Sequence, residues 1–136
     1  MPYLEVLGPP AGVAEKQAAV RAVTEAVVSA FSVSPATVTV YFLPVQVADY
    51  GHEGTLGLEG RQMRVFAKMH AYRRGVAERR KAAVGITQAL ATCFGADPDD
   101  VAVYFMDRTL DEVAHGGGMA CDDAAEAARV PVALAK

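Results

Sequence analysis

An α/β (α+β) fold is predicted, in which two tandem β-α-β units build one four-stranded sheet with two helices on a single face. Three observations carry this reading. Shifted by 63 positions, the chain falls on itself: Gly12-Val13-Ala14-Glu15 on Gly75-Val76-Ala77-Glu78, Thr24 on Thr87, Phe31 on Phe94, Pro35 on Pro98, and Val40-Tyr41-Phe42 on Val103-Tyr104-Phe105, without a gap. A repeat of this length is one supersecondary unit used twice. Each unit also carries a β-branched or aromatic run, an amphipathic helical stretch and a second such run, with Gly and Pro breakers between them. Strands joined through a helix favour right-handed parallel crossovers, which fixes the pairing within each unit.

Residues 2–7 open the chain as a strand, and Gly8-Pro9-Pro10-Ala11-Gly12 break it. A helix follows. Val13, Val20, Val23, Val27, Ala30 and Phe31 recur at three- and four-residue steps, with Glu15, Lys16, Arg21 and Glu25 largely on the other side. Ser32-Val33-Ser34-Pro35 ends it, because Pro35 lacks a donor and biases Ser34 away from helix. Residues 37–42 then form a strand. The second unit repeats the order as strand 63–70, turn 71–75, helix 76–94, breakers from Gly95 to Pro98, and strand 100–106. Residues 43–62 read as a long connection or a small hairpin. In the tail, Ala-rich 120–129 reads as a helix and 130–134 as an edge strand, or as a segment ordered against a neighbouring subunit. The chain is a single domain over 1–136, divided into repeat one (2–60), repeat two (61–118) and a C-terminal tail (119–136).

A chain of 136 residues is one domain by size, and near this length about 68–70% of the unfolded surface is buried on folding. Hydrophobic residues at 52% against 21% charged exclude a disordered polypeptide. A net charge of −3 argues against a nucleic-acid partner, which draws on clustered Lys and Arg. The one basic cluster, Arg73-Arg74 with Arg79-Arg80-Lys81, has a bland reading at 79–81 as a solvated first helical turn. Cys93 and Cys121 show neither a CxxC nor a metal-ligand spacing, so a reducing, cytoplasmic setting is expected, with no metal. The opening Met-Pro-Tyr-Leu-Glu has no basic region and no long apolar run, and no membrane partner is expected. A sheet covered on one face must bury the other. Strands as apolar as Val38/Val40/Phe42 and Val101/Val103/Phe105 make closure against further copies of the chain the economical solution.

The two copies differ most at their front ends. The first opens with Pro2 where the second has Val65, and carries Pro9-Pro10-Ala11 where the second carries Tyr72-Arg73-Arg74. Methionine before a small residue such as proline is normally removed, which would leave Pro2 with a free secondary amine. An α-amino group titrates near ~7.7–8.0, and burial in an apolar site lowers that value, so it can be neutral and act as a base near physiological pH. A proline after methionine is also a common start with no role. Arginine at the start of a helix opposes the dipole and asks for an anion, and its planar fork suits a carboxylate.

This pattern resembles the tautomerase superfamily, and within it the 4-oxalocrotonate tautomerase-like, fused two-repeat members of the cis-3-chloroacrylic acid dehalogenase and malonate semialdehyde decarboxylase group. The matching features are the N-terminal proline opening a short strand, the duplicated β-α-β unit, and Gly-rich segments closing each unit at Asp49–Gly54 and Ala114–Gly118. The resemblance covers residues 2–118. It implies a cofactor-independent tautomerase or isomerase, assembled as a homotrimer, that moves a proton on a small 2-oxo or 2-hydroxy-enoic acid. Pro2 matches the catalytic base or acid. Arg74, with Arg73, stands where fused members hold the substrate carboxylate, preceded by His70 on the strand. Tyr104 resembles a tyrosine that assists water addition, although Tyr41 occupies its place in the first copy. Tyr50 sits where short members place an aromatic residue near the base, and His115 about where the dehalogenases have a water-activating glutamate.

The departures are Thr39 and Ala102 where short members have a second arginine, and Ala11-Gly12 in place of a first-copy arginine. Fewer cations shift the expected substrate from a dicarboxylate to a monocarboxylate or enol-ketone. Water addition or dehalogenation, decarboxylation of a 3-oxo acid, and a non-catalytic ligand-binding trimer are the alternatives.

Overall fold

Both predicted crossovers form. In the computed structural model, which describes residues 1–129, the first unit runs β1 (Tyr3–Gly8), α1 (Val13–Phe31), β2 (Thr39–Pro44) and a hairpin of β3 (Gly51–His52) and β4 (Thr55–Leu56). The second runs β5 (Val65–Tyr72), α2 (Val76–Phe94), β6 (Val101–Arg108) and a hairpin of β7 (Ala114–His115) and β8 (Gly118–Met119), followed by α3 (Ala124–Arg129). The main sheet has the order β2-β1-β5-β6. Pairing is parallel within each unit and antiparallel between β1 and β5. Glu5 stands opposite Lys68 in that central register. These two residues are equivalents under the 63-residue shift, so the approximate two-fold axis relating the copies passes between them.

The structural repeat outruns the sequence repeat. The hairpins superpose under the same shift although their sequences share little, because a tight hairpin asks only for two central residues with positive φ. Glu53 and Gly54 (φ 53° and 77°) meet that demand in the first copy, and Gly116 and Gly117 (58° and 84°) in the second.

Several boundaries move from their predicted positions for local reasons. Pro35–Thr37 and Pro98–Asp100 form single 3₁₀ turns, each capped by the side chain before the proline, so β2 and β6 start later than predicted. The first helix is stopped by Ser32 in a left-handed conformation whose N–H bonds the Val28 carbonyl; Gly95 does the same in the second copy. Pro35 acts only after that stop. Val13 and Val20 are exposed, and Ala19 takes their place in the core. The reading of 79–81 as a solvated turn also changes for Arg79: it ion-pairs with Asp107 at 2.7 Å and lies 5.7 Å from the Phe105 ring centre. The tail helix starts later than predicted, with a 3₁₀ turn at Ala120–Asp122 and α3 started by the Asp123 carboxylate, which accepts from the Ala125 and Glu126 N–H groups. The edge strand expected over 130–134 lies outside the described residues.

Alternation along the strands sorts the side chains. Leu4, Val6, Val65, Ala67 and Met69 point to the helices and pack with Val23, Val27, Ile86 and Leu90. The opposite face is not covered by either helix and presents Tyr3, Tyr41, Leu43, Phe66, Tyr104 and Met106, all exposed. No helix among the described residues is long and apolar enough to cross a membrane. Cys93 is buried and unpaired, and Cys121 is exposed and unpaired.

The two helices approach closely at Gly85, where an added Cβ would stand 2.6 Å from the Ala26 Cβ. Alanine is the better helix former by roughly 0.8–1 kcal/mol, but overpacking costs typically ~1–3 kcal/mol, so contact should outweigh propensity. Gly85→Ala is therefore expected to lower the denaturation midpoint with an unchanged m-value. A stabilised variant in chemical denaturation would show that the helices are not this close.

Candidate active site

The central antiparallel pairing sets the start of the first unit beside the end of β5: Tyr3 pairs with His70, and Pro2 precedes it. Pro2 is buried, and its carbonyl accepts from the Thr39 N–H at 3.2 Å, which fixes the strand end. It lines a cavity of about 660 Å³ together with Phe31, Ala71, Tyr72, Arg74 and Glu126. The predicted amine base and the predicted cation, one from each repeat, thus share one cavity.

Arg74 is held in place by neutral groups. Its Nη1 donates to the Tyr72 carbonyl at 2.8 Å, and its guanidinium lies 5.1 Å from the Phe31 ring centre. Among the described residues no carboxylate comes within ion-pair distance of it. Burial lowers its pKa, opposed by Glu78, although a guanidinium stays charged at any ordinary pH. Arg73 turns the other way: its side chain is 55% exposed, with Nε 3.9 Å from the Asp107 carboxylate that Arg79 also holds. Neighbouring residues in an extended turn point apart, so Arg74 alone of the pair faces the cavity.

The terminal amine of Met1 borders the same space. Its pKa is lowered from the ordinary 8.0 chiefly by burial; Glu126 opposes the shift, while Arg74 and Arg129 reinforce it. The Tyr72 hydroxyl is buried without a hydrogen-bond partner of ordinary geometry among the described residues. Burial, and then the nearby Glu126 carboxylate, push that phenol up to about 12.

A second cavity of about 390 Å³ lies against the first, lined by Tyr3, His70, Tyr72, Arg108, Glu112 and His115 among others. His70 is buried, stacks on Tyr3 at 4.3 Å between ring centres, and bonds Glu5 Oε2 through Nε2 at 2.6 Å. Arg108 Nη2 meets its Nδ1 at 2.9 Å. Arginine has only donors, so Nδ1 must accept and Nε2 must carry the proton given to Glu5. His115 lies on β7 and is exposed, at the rim of this second cavity.

Besides Arg73, two predicted residues do not join either cavity within one chain. Tyr104 alternates onto the open face of the sheet and packs edge-on against Phe66 at 5.8 Å. The Tyr50 hydroxyl accepts from the Arg64 N–H at 3.1 Å, tying the loop before β5 to the first hairpin. Conversely, Glu5, Tyr72, Arg108 and Glu126 were not singled out from sequence. The repeat carried a signal for three of them: under the 63-residue shift, Arg108 replaces Val45, Tyr72 replaces Pro9, and Glu5 faces a charge reversal at Lys68. The geometry predicts that long-range ¹⁵N–¹H NMR will find His70 with its proton on Nε2 and a bare Nδ1. The opposite tautomer would break the assigned chain from Glu5 to Arg108.

Comparison of the sequence with protein-family models and with curated proteins gives no match. Solved structures do match. The F6 fused 4-OT, an asymmetric trimer, is 20% identical over 88% of this chain and 97% of its own, with a TM-score of 0.79. The Q0 fused 4-OT, a symmetric trimer, is 23% identical over 86% and 94%, with a TM-score of 0.75. N1, a member of the cis-3-chloroacrylic acid dehalogenase family, is 17% identical over 86% and 82%, with a TM-score of 0.70. The tandem β-α-β units, their four-stranded sheet and these likenesses agree, and the chain has the fold of the fused 4-OT structures.

Proposed function

We propose that the chain is a cofactor-independent tautomerase in which Pro2, freed of Met1, moves a proton on a small 2-oxo or 2-hydroxy-enoic acid whose carboxylate is held by Arg74. The observation that carries this reading is the shared cavity: a buried proline from one repeat and, from the other, an arginine with no carboxylate partner among the described residues. With Met1 removed, the Pro2 nitrogen becomes a secondary amine subject to the burial that already lowers the Met1 amine. A neutral amine takes the proton from carbon as the enol forms and returns it at the other end of the conjugated system. Arg74 anchors the carboxylate beside the developing charge. General acid–base catalysis contributes typically ~10²–10⁴-fold, and positioning supplies the rest.

One observation favours a second reading. Glu126 faces the same amine and opposes its loss of a proton. An amine kept protonated at rest would serve as an acid for water addition to an unsaturated acid, or for decarboxylation of a 3-oxo acid. The pH profile separates the two. A base is active when neutral, so kcat/KM should rise with pH through the pKa of the Pro2 amine, which burial lowers; an acid would lose activity over the same window.

The test combines intact mass with kinetics. The purified protein should lack Met1, and Pro2→Ala should abolish turnover of enolisable acids. Arg74→Ala should leave the fold intact while costing roughly 1.5–3 kcal/mol of transition-state binding, about one to two decades in kcat/KM. Full activity in protein that retains Met1, or in Arg74→Ala, would contradict the assignment.

The open sheet face supports a homotrimer, as does the assembly of the fused 4-OT neighbours. Sedimentation should give three chains per particle. Replacing Tyr41 and Phe66 with charged residues should dissociate them, and a well-folded monomer in the unaltered protein would leave that face without a cover.

A further inference from the structure

The proline cavity has a wall that the duplicated units do not supply. Beyond the second hairpin the chain turns back, and α3 brings Glu126 and Arg129 to the space that Pro2 and Arg74 line. Two local contacts fix that path. Ala120 is buried and packs with Tyr72, Leu110 and Val113, and the Asp123 carboxylate caps the first turn of α3. The two charged side chains then part: that of Arg129 is 74% exposed and that of Glu126 only 18%. Their ion pair, at 3.9 Å and wet on the arginine side, is too weak to account for a carboxylate turned inward.

The Tyr72 hydroxyl supplies the reason. The ring of Tyr72, at the end of β5, is buried against apolar neighbours that a phenylalanine would serve as well. Its oxygen is buried too, without a partner of ordinary hydrogen-bond geometry among the described residues, and a buried hydroxyl left so calls for an acceptor. Glu126 is the acceptor at hand. Together with burial, its carboxylate pushes the phenol up to about 12, so the hydroxyl keeps its proton and is a donor at any ordinary pH.

We propose that Tyr72 is a positioning residue of the proline site: its hydroxyl donates to Glu126 and holds that carboxylate, and α3 with it, across the cavity toward the Pro2 amine. This role rests on removal of Met1 and on the tautomerase reading above. Three charged groups reach the terminal amine as it stands at Met1, and all three line the Pro2 cavity: Glu126 favours the protonated amine, and Arg74 and Arg129 favour the neutral one. Glu78 of α2 lines the same space, while the first unit contributes Phe31, Ser32 and Thr37 among others and no charged side chain. Tyr72 thus acts on the amine through Glu126.

The experiment is ¹⁵N titration of Pro2 in the processed full-length chain, without substrate, for the unaltered protein, Glu126→Gln, Tyr72→Phe and the double variant. Glu126→Gln should lower the Pro2 pKa by about half a unit or more, because a nearby opposite charge stabilises the protonated amine. Tyr72→Phe keeps the ring and its packing, and should lower the pKa in the same direction as the carboxylate is released toward Arg129 and water. The two effects should not add: once Glu126 is replaced, loss of the hydroxyl should change nothing further. A Pro2 nitrogen indifferent to Glu126→Gln, a pKa that Tyr72→Phe leaves alone or raises, or single effects that sum in the double variant overturns the proposal. Turnover by the unaltered protein judges the reaction separately. Non-additive changes in a protein that turns over no enolisable acid would sink the tautomerase reading and leave the Tyr72–Glu126 pair, and Pro2-dependent turnover without those changes would do the opposite.

Discussion

The antiparallel pairing of β1 with β5 turns two copies of a unit into one site. Each β-α-β unit pairs its own two strands in parallel, but neither brings both an amine and a cation to the cavity. The register that sets Glu5 opposite Lys68 also sets Tyr3 opposite His70, and so brings the start of the first unit against the end of the strand that leads to Arg74. A slip of one residue would turn every side chain of β1 to the other face, removing Leu4 and Val6 from the core. The register is therefore protected by core packing, and the site inherits that rigidity.

Duplication makes this division of labour possible. A symmetric pair of units would carry two equivalent half-sites. Here the strand end of the first copy is apolar where the second is polar: Leu7 corresponds to His70, Val45 to Arg108, and Pro9 to Tyr72. Packing of the helices is kept in both copies, while polarity accumulates at one end of the sheet. In the part-buried polar chain Glu5–His70–Arg108, the buried His70 is tolerated because each of its ring nitrogens finds a partner.

The sequence showed much of this plan and missed part of it. Apolar spacing placed the first helix over the stretch from Val13 to Phe31, and the repeat placed the second at 76–94 to the residue, because periodicity and Gly and Pro breakers are local signals. Strand starts were less legible, since the 3₁₀ turns at Pro35 and Pro98 take up residues whose composition reads as strand. At the site, Pro2 and Arg74 were found as exceptions to the repeat. Glu126 was not, because it reaches the cavity from a tail outside the duplicated unit. Tyr104 and Tyr50 show the reverse: aromatic residues at suggestive positions whose single-chain contacts are sheet and loop packing.

Everything rests on whether the chain presents a proline amine in that cavity. Titration of protein carrying ¹⁵N-proline, followed directly on the Pro2 nitrogen by NMR, tests this without any substrate. The account predicts a titrating secondary amine whose pKa burial holds below that of an exposed N-terminal proline, and a further change when Arg74 is replaced by alanine. A Pro2 nitrogen that does not titrate, or one that titrates at the value of an exposed terminus with or without Arg74, would contradict it.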